Sequence, residues 1–103
     1  MQDPIKAVSA PVRRQILKLV WDSERSAGDI AAQFTVSWPA VSQHLRVLKD
    51  AGLLKERREG RQRLYRARKD QLGGLRDVLE ESWDASLARL RAAAELDVPG
   101  DET

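Results

Sequence analysis

Between Ser37 and Asp50 the sequence reads SWPAVSQHLRVLKD, and further on it sets arginines at 57, 58, 61 and 63. Ser42, Gln43 and Arg46 are short or planar hydrogen-bonding side chains. On one face of a helix, Ser and Gln can read base edges and Arg can grip guanine or phosphate. Arginines at a hairpin tip can reach a phosphate backbone or a minor groove. Both patterns point to recognition of a duplex rather than to covalent chemistry. The 103-residue chain has no Cys and one His, which removes a disulfide framework, a thiolate metal site and a cysteine nucleophile. It carries no phosphate-cradling glycine loop and no pair of carboxylates in an evident apolar cleft. The expectation is a protein that is not an enzyme and needs no cofactor.

The distribution of charge agrees. The net charge is only +2, but Lys and Arg outnumber Asp and Glu by 8 to 2 over residues 55–69, against 7 to 5 over residues 1–54 and 3 to 9 over residues 70–103. A one-signed basic block is the footprint of polyanion binding, and the acidic C-terminal part should face away from it.

These side chains need elements to position them. Val41, Leu45 and Leu48 recur at i, i+4 and i+7 in the central stretch, so a helix there has a buried stripe opposite its polar face. Ser37 is its expected cap, Pro39 suits its first turn, and Ala51-Gly52 should stop it. Trp38, at its N-terminal edge, can either pack on the core or lie against sugar and phosphate. Upstream, Asp3-Pro4 opens a short helix, and Val12, Ile16, Leu17, Val20 and Trp21 line the inner side of a second, with Arg13 and Arg14 outside. Ser26 then caps SAGDIAAQF, with Asp29 at capping-box spacing and Ile30, Ala31 and Phe34 inward. Two short helices with a tight joint make a helix-turn-helix, over about residues 26–51.

Downstream, Leu53-Leu54 begins a strand, Glu59-Gly60 is the expected hairpin tip, and Arg61 to Arg68 returns, giving a wing over about 53–68. The predicted fold is mainly α with a two-stranded β-hairpin, a winged helix-turn-helix in a single domain over 1–96. The last helix, about 70–96, repeats Leu72, Leu75, Leu79, Trp83, Leu87, Leu90 and Ala94 at three- and four-residue steps. So small a domain cannot cover that stripe with its own short helices, which argues for a second copy. Ile5 and Val8 of the first helix, about 3–9, are expected to join that interface with Leu79, Trp83, Leu87, Leu90 and Ala94. Residues 97–103, DVPGDET, read as an untethered tail.

The runs VRRQILKLV, SAGDIAAQF and SWPAVSQHLRVLKDAGLLKERREGRQRLYRA together resemble the ArsR family of winged-helix transcriptional repressors, over roughly residues 5–95. The resemblance implies a homodimer built on the first and last helices, binding an inverted-repeat operator and commonly repressing its own operon. By match of motif, Ser42, Gln43, His44 and Arg46 fall on the family's DNA-reading helix, and Arg58, Gly60 and Arg61 on its wing. With the neighbouring residues, the expected DNA contacts are Ser37, Trp38, Pro39, Ser42, Gln43, His44, Arg46, Arg57, Arg58, Arg61 and Arg63.

Metal-sensing members carry a Cys-rich motif where this chain has GDIAAQF, or His and carboxylate ligands on the last helix, where it has Asp77, Glu80, Glu81 and Asp84 but no His. Zinc and softer metals prefer thiolate and imidazole, so the expectation is no metal site and no metal sensing. His44 has no second His and reads as a packing or phosphate-contacting side chain. No apolar run approaches the ~20 residues that span a bilayer, and MQDPIKAVSA lacks the layout of an export signal, which predicts a soluble cytoplasmic protein with no membrane partner. The residues name no small-molecule effector. An alternative keeps the winged helix but uses it to dock a protein in a larger complex, a role with no need for arginines at the hairpin tip.

Overall fold

The computed structural model describes residues 3–97, and side chains through Ala94. The tail expected over 97–103 lies, beyond Asp97, outside the described residues. The chain divides into two compact units, the first ending at Gly73 and the second beginning at Gly74.

In the first unit the order is α1 (Pro4–Ala7), α2 (Pro11–Leu19), β1 (Arg25–Ser26), α3 (Ala27–Ala31), α4 (Trp38–Asp50), β2 (Leu54–Glu59) and β3 (Gln62–Ala67), then a 3-10 turn at Lys69–Gln71. The helix starts are set by side chains that accept backbone protons no helical carbonyl can reach. Asp3 accepts from the Ile5 amide at 2.9 Å, Ser26 from Asp29 at 3.0 Å and Ser37 from Ala40 at 3.3 Å. Ala10, before α2, offers no such cap. Instead Arg13 and Arg14 fold back on the carbonyls at the end of α1. Arg13 Nε donates to Ala7 at 2.6 Å, and Arg14 Nη1 donates to Val8 at 2.8 Å and Ser9 at 3.0 Å. The two arginines expected to point outward therefore tie α1 to α2.

Most of the expected core is buried: Ile16, Leu17, Val20, Ile30, Leu48 and Leu53 fully, with Val41, Leu45, Leu54 and Tyr65 nearly so, whereas Val12, Ala31 and Phe34, expected inward, are half-buried. α4 ends as its sequence dictates. Gly52 adopts φ 79, its amide bonds Lys49 O and the Leu53 amide bonds Leu48 O, both at 2.9 Å. This Schellman closure sends the chain straight into β2 with Leu48 and Leu53 side by side in the core.

The hairpin is present, with three differences in detail. First, β2 and β3 pair from Leu54↔Ala67 to Glu59↔Gln62, so the loop is Gly60-Arg61, one residue later than expected. Gly60 has φ 62 and no non-glycine has positive φ among the described residues, the pattern of a II′ turn with Gly at its first loop position. Second, the sheet has three strands in the order β1-β3-β2, because Arg25 and Ser26 pair with Tyr65 and Leu64. Third, α3 stops at Ala31 and closes through i→i+3 bonds from Gln33 and Phe34, shorter than the full SAGDIAAQF.

The second unit is α5 (Gly74–Asp97), 24 residues long. The element expected from about Asp70 with an early interruption at Gly73-Gly74 is broken there: Lys69–Gln71 is a 3-10 turn, Gly73 takes φ 56 and the long helix begins at Gly74.

The wing is held to α4 through Glu56. Its carboxylate accepts from Lys49 Nζ at 2.8 Å and from the Tyr65 hydroxyl at 2.7 Å, and Arg63 lies 3.8 Å away. Hydrogen bonds from Lys49 and Tyr65 keep the Glu56 carboxyl below the usual carboxylate range. Burial first, then the bond to Glu56 and its charge, pushes the Tyr65 phenol up to about 12. Because Tyr65 is the sole tyrosine, its phenolate absorbance can be read directly and should appear well above the ordinary 10. The folded state keeps a proton there that the unfolded chain releases. Stability contributed by Tyr65 is thus full below about pH 10 and lost as pH rises toward 12. Tyr65→Phe should remove that alkaline dependence and cost roughly 1–2 kcal/mol near neutrality, measured by urea unfolding.

Candidate nucleic-acid interface

α4 presents its polar row as the periodicity requires. With Val41, Leu45 and Leu48 buried, Ser42, Gln43 and Arg46 are exposed, and their side chains make no hydrogen bond or ion pair within the described residues. Their donors and acceptors are open to a ligand. Pro39 is exposed in the first turn, and Ser37 is exposed but already spends its oxygen as the cap. Of the two places open to Trp38 the structure takes the outer one, with 56% of the residue exposed. Together with Ser26, Ala27, Gly28, Arg61, Gln62 and Arg63 it lines a hollow of about 320 Å³ between the start of α3 and the wing. A smaller cleft, about 140 Å³, runs between α4 and the sheet, floored by Leu45 and Tyr65 and rimmed by Ser42, Arg46 and Arg63.

His44 is placed differently from its helix neighbours. Half-buried, its Nδ1 lies 3.4 Å from Arg13 Nη1. Burial, and then the charge of Arg13, lowers its pKa below the ordinary value, so at neutral pH it is an uncharged acceptor for α2. This geometry fits the packing alternative for His44.

The wing arginines divide into two sets. Arg57 is gripped by both oxygens of Glu24, each at 2.8 Å, and approaches Glu59 at 3.3 Å. Its hydrogen bond holds the Glu24 carboxyl below the usual carboxylate range. Arg63 makes a long contact to Glu56 and also acts on the Tyr65 hydroxyl. Arg58 and Arg61 are exposed and make no ion pair within the described residues. The register also sets Arg58 directly opposite Arg63 and Lys55 opposite Arg66. Like charges facing each other across a ladder repel; the two pairs lie on opposite faces of the hairpin, where Glu24 offsets Lys55 and Arg66 in part and Glu56 offsets Arg63, leaving Arg58 without a carboxylate.

Two partners were not legible in the sequence: Glu24, 33 residues from Arg57, and Arg13, 31 residues from His44. The contact of Glu56 with Tyr65 had a signal, since once the turn is known the register sets these residues opposite each other.

Of the residues expected at a dimer interface, Ile5 is 65% exposed and Val8 is buried. On α5, Leu87 and Leu90 are 47% and 67% exposed, Ala94 is exposed, Trp83 is half-buried and Leu79 is buried. Among the described residues no cluster of three His, Cys, Asp or Glu could hold a metal ion. No helix among them is long and apolar enough to cross a membrane.

Comparison with known proteins agrees with this geometry. The family model for bacterial regulatory proteins of the arsR family matches residues 10–56. The HTH-type transcriptional regulator Rv2034 of Mycobacterium tuberculosis is 36% identical over 98 residues, 95% of this chain and 90% of its own. The transcriptional repressor SdpR of Bacillus subtilis is 43% identical over 60 residues, 58% of this chain and 67% of its own. Among solved structures, the homodimeric winged helix-turn-helix DNA-binding domain of Mb0332 from Mycobacterium bovis is 32% identical. It superposes with a TM-score of 0.66 over 77% of this chain and 73% of that one. A polar-faced α4, a basic wing beside it and a relative matched along nearly its whole length lead to one conclusion: the chain belongs to the arsR family of DNA-binding transcription regulators.

Proposed function

We propose that this regulator acts as a homodimer that binds an inverted-repeat operator and represses transcription by obstruction, without a metal effector. The observation that carries the DNA-binding geometry is the pair of exposed wing arginines without an ion pair among the described residues, Arg58 and Arg61, beside a row of unengaged hydrogen-bonding groups on α4. In this reading Ser42, Gln43 and Arg46 contact base edges, and Trp38, Arg58, Arg61 and Arg63 hold the backbone. Arg57 contacts DNA only by giving up Glu24, and His44 supports the helix from behind. Two α4 helices enter successive major grooves about 34 Å apart. Repression is the named role of SdpR, and a dimer is the named state of the Mb0332 domain. Metal independence rests on the donor set, which has no thiolate and a single imidazole, whose Nδ1 lies beside the Arg13 guanidinium.

Helix and wing should be separable by mutation. Gln43→Ala should cost about 1–3 kcal/mol of discrimination between operator and random DNA while leaving non-specific affinity nearly unchanged. Arg61→Ala should weaken both and reduce the slope of log K against log salt by about 0.9. Fluorescence anisotropy at several salt concentrations reads both quantities. Equal effects of the two changes on both DNAs would refute the division of roles.

The dimer has its own test. Leu87→Asp or Leu90→Asp should give monomers by sedimentation and operator affinity reduced by at least about tenfold, since bivalent binding is lost. Variants that stay dimeric would place the seam elsewhere. Zinc added at saturating concentration should leave operator affinity unchanged.

A further inference from the structure

A hollow of about 430 Å³ opens where α2, β1 and the chain after α3 meet, lined by Gln15, Lys18, Leu19, Arg25, Gln33 and Phe34. None of these residues belongs to the reading row of α4 or to the wing. Lys18 and Arg25 are cations, Gln15 and Gln33 offer amide donors, and Leu19 and Phe34 supply half-buried apolar walls. No carboxylate lines the hollow. Neither cation has an ion pair within the described residues. Arg25 is fixed as well as unpaired: it is half-buried, and its Nε donates to Leu19 O at 3.0 Å. The two terminal nitrogens of its guanidinium are left as a preset fork of donors.

We propose that this hollow binds a small organic carboxylate with an aromatic or short alkyl body. The carboxylate sits between Arg25 and Lys18, and the body lies against Leu19 and Phe34. A guanidinium fork matches a carboxylate in geometry as well as charge, and the volume lies within the range of small-molecule pockets. An inorganic anion would leave the apolar walls uncovered. A neutral ligand would leave both cations uncompensated.

The site has a physical route to the wing. Arg25 pairs with Tyr65 in β3, and its neighbour Glu24 holds Arg57 of β2 through both oxygens. A ligand on Arg25 pulls on this two-residue strand, shifts the Glu24–Arg57 clamp and so alters the charge the wing presents. That consequence rests on the DNA-binding reading; occupancy of the hollow does not.

Phenylacetate, its neutral counterpart phenylacetamide and inorganic phosphate, titrated into the isotope-labelled full chain, test the site through backbone amide shifts. Phenylacetate should move the amides of Lys18, Leu19, Arg25, Gln33 and Phe34 saturably, at least about tenfold more tightly than the other two. Lys18→Gln and Arg25→Gln should each weaken it about tenfold. Because Arg25 also holds the Leu19 carbonyl, the exposed Lys18 provides the variant that leaves the fold intact. Equal affinity for acid and amide, shifts centred elsewhere, or indifference to Lys18→Gln would overturn the site. Saturating phenylacetate should also change operator affinity by at least about fivefold in the unaltered chain and not in Glu24→Gln. Shifts in the hollow with unchanged operator affinity would uphold the site and overturn the coupling. A chain that bound no DNA at all would remove the operator reading while the shift map still decided the site.

Discussion

Lys49 in the last turn of α4 and Tyr65 on β3 both donate to the carboxylate of Glu56 on β2, and the placement of the interface follows from that meeting. The Lys49 contact is exposed on the lysine side, and such pairs contribute roughly 0–1 kcal/mol, too little to fix a helix. The Tyr65 contact carries more. Its ring is buried, so a phenol left without a partner would cost about 1–3 kcal/mol. The Schellman closure at Gly52 adds two backbone hydrogen bonds that leave little slack between Leu48 at the end of α4 and Leu53 at the root of the wing. Helix and hairpin are therefore tied to each other at the base of the wing, through Glu56 and through the closure at Gly52.

The wing shows what is left once that body is built. Its base is anchored by Leu54 and Tyr65 and widened by β1. Beyond the base the strands hold mostly charge, and cross-strand repulsion of a few tenths of a kcal/mol to about 1 kcal/mol per facing pair works against it. Glu24 neutralises Arg57, and Glu56 partly offsets Arg63. Arg58 and Arg61 receive nothing comparable. A hairpin selected only for stability would have put a carboxylate or a β-branched residue opposite Arg58. In the proposed DNA-binding reading, phosphates beside Arg58 and Arg61 would recover that small cost.

What could be read from the sequence was what is local. Caps at Asp3, Ser26 and Ser37, the stop at Gly52 and the stripe Val41, Leu45 and Leu48 each depend on residues within a few positions, and the structure has them as expected. The hairpin turn was displaced by one residue because Gly60 had been given the second loop position, whereas a II′ turn puts glycine first. β1 left no trace in the sequence. Two polar residues have no period, and they become a strand only because β3 offers an unpaired edge. Arg13, expected on the outer face of α2, and Arg57, expected to contact DNA, are instead engaged by distant partners, the α1 carbonyls for one and Glu24 for the other. Residue type identified the chemistry of the surface, then, while distant pairing decided which charges stay available.

The apolar surface of α5 sets a limit on how the proposed dimer can work. Leu87 and Leu90 still expose about half and two-thirds of their surface, and covering both on two copies would yield on the order of 5 kcal/mol. Association itself costs about 4–15 kcal/mol, so these leucines alone only break even at best. Val78 and Ile5, 60% and 65% exposed, would have to be covered as well, or the dimer would be weak in free solution. A weak dimer is not a poor regulator. Once one protomer holds a half-site, a second arriving from solution gains the neighbouring half-site and the protein seam together, so the proposed inverted repeat would select the paired state. Dimer formation and operator recognition then become a single linked equilibrium, and a change of ~1 kcal/mol at either the wing or the seam is felt at both.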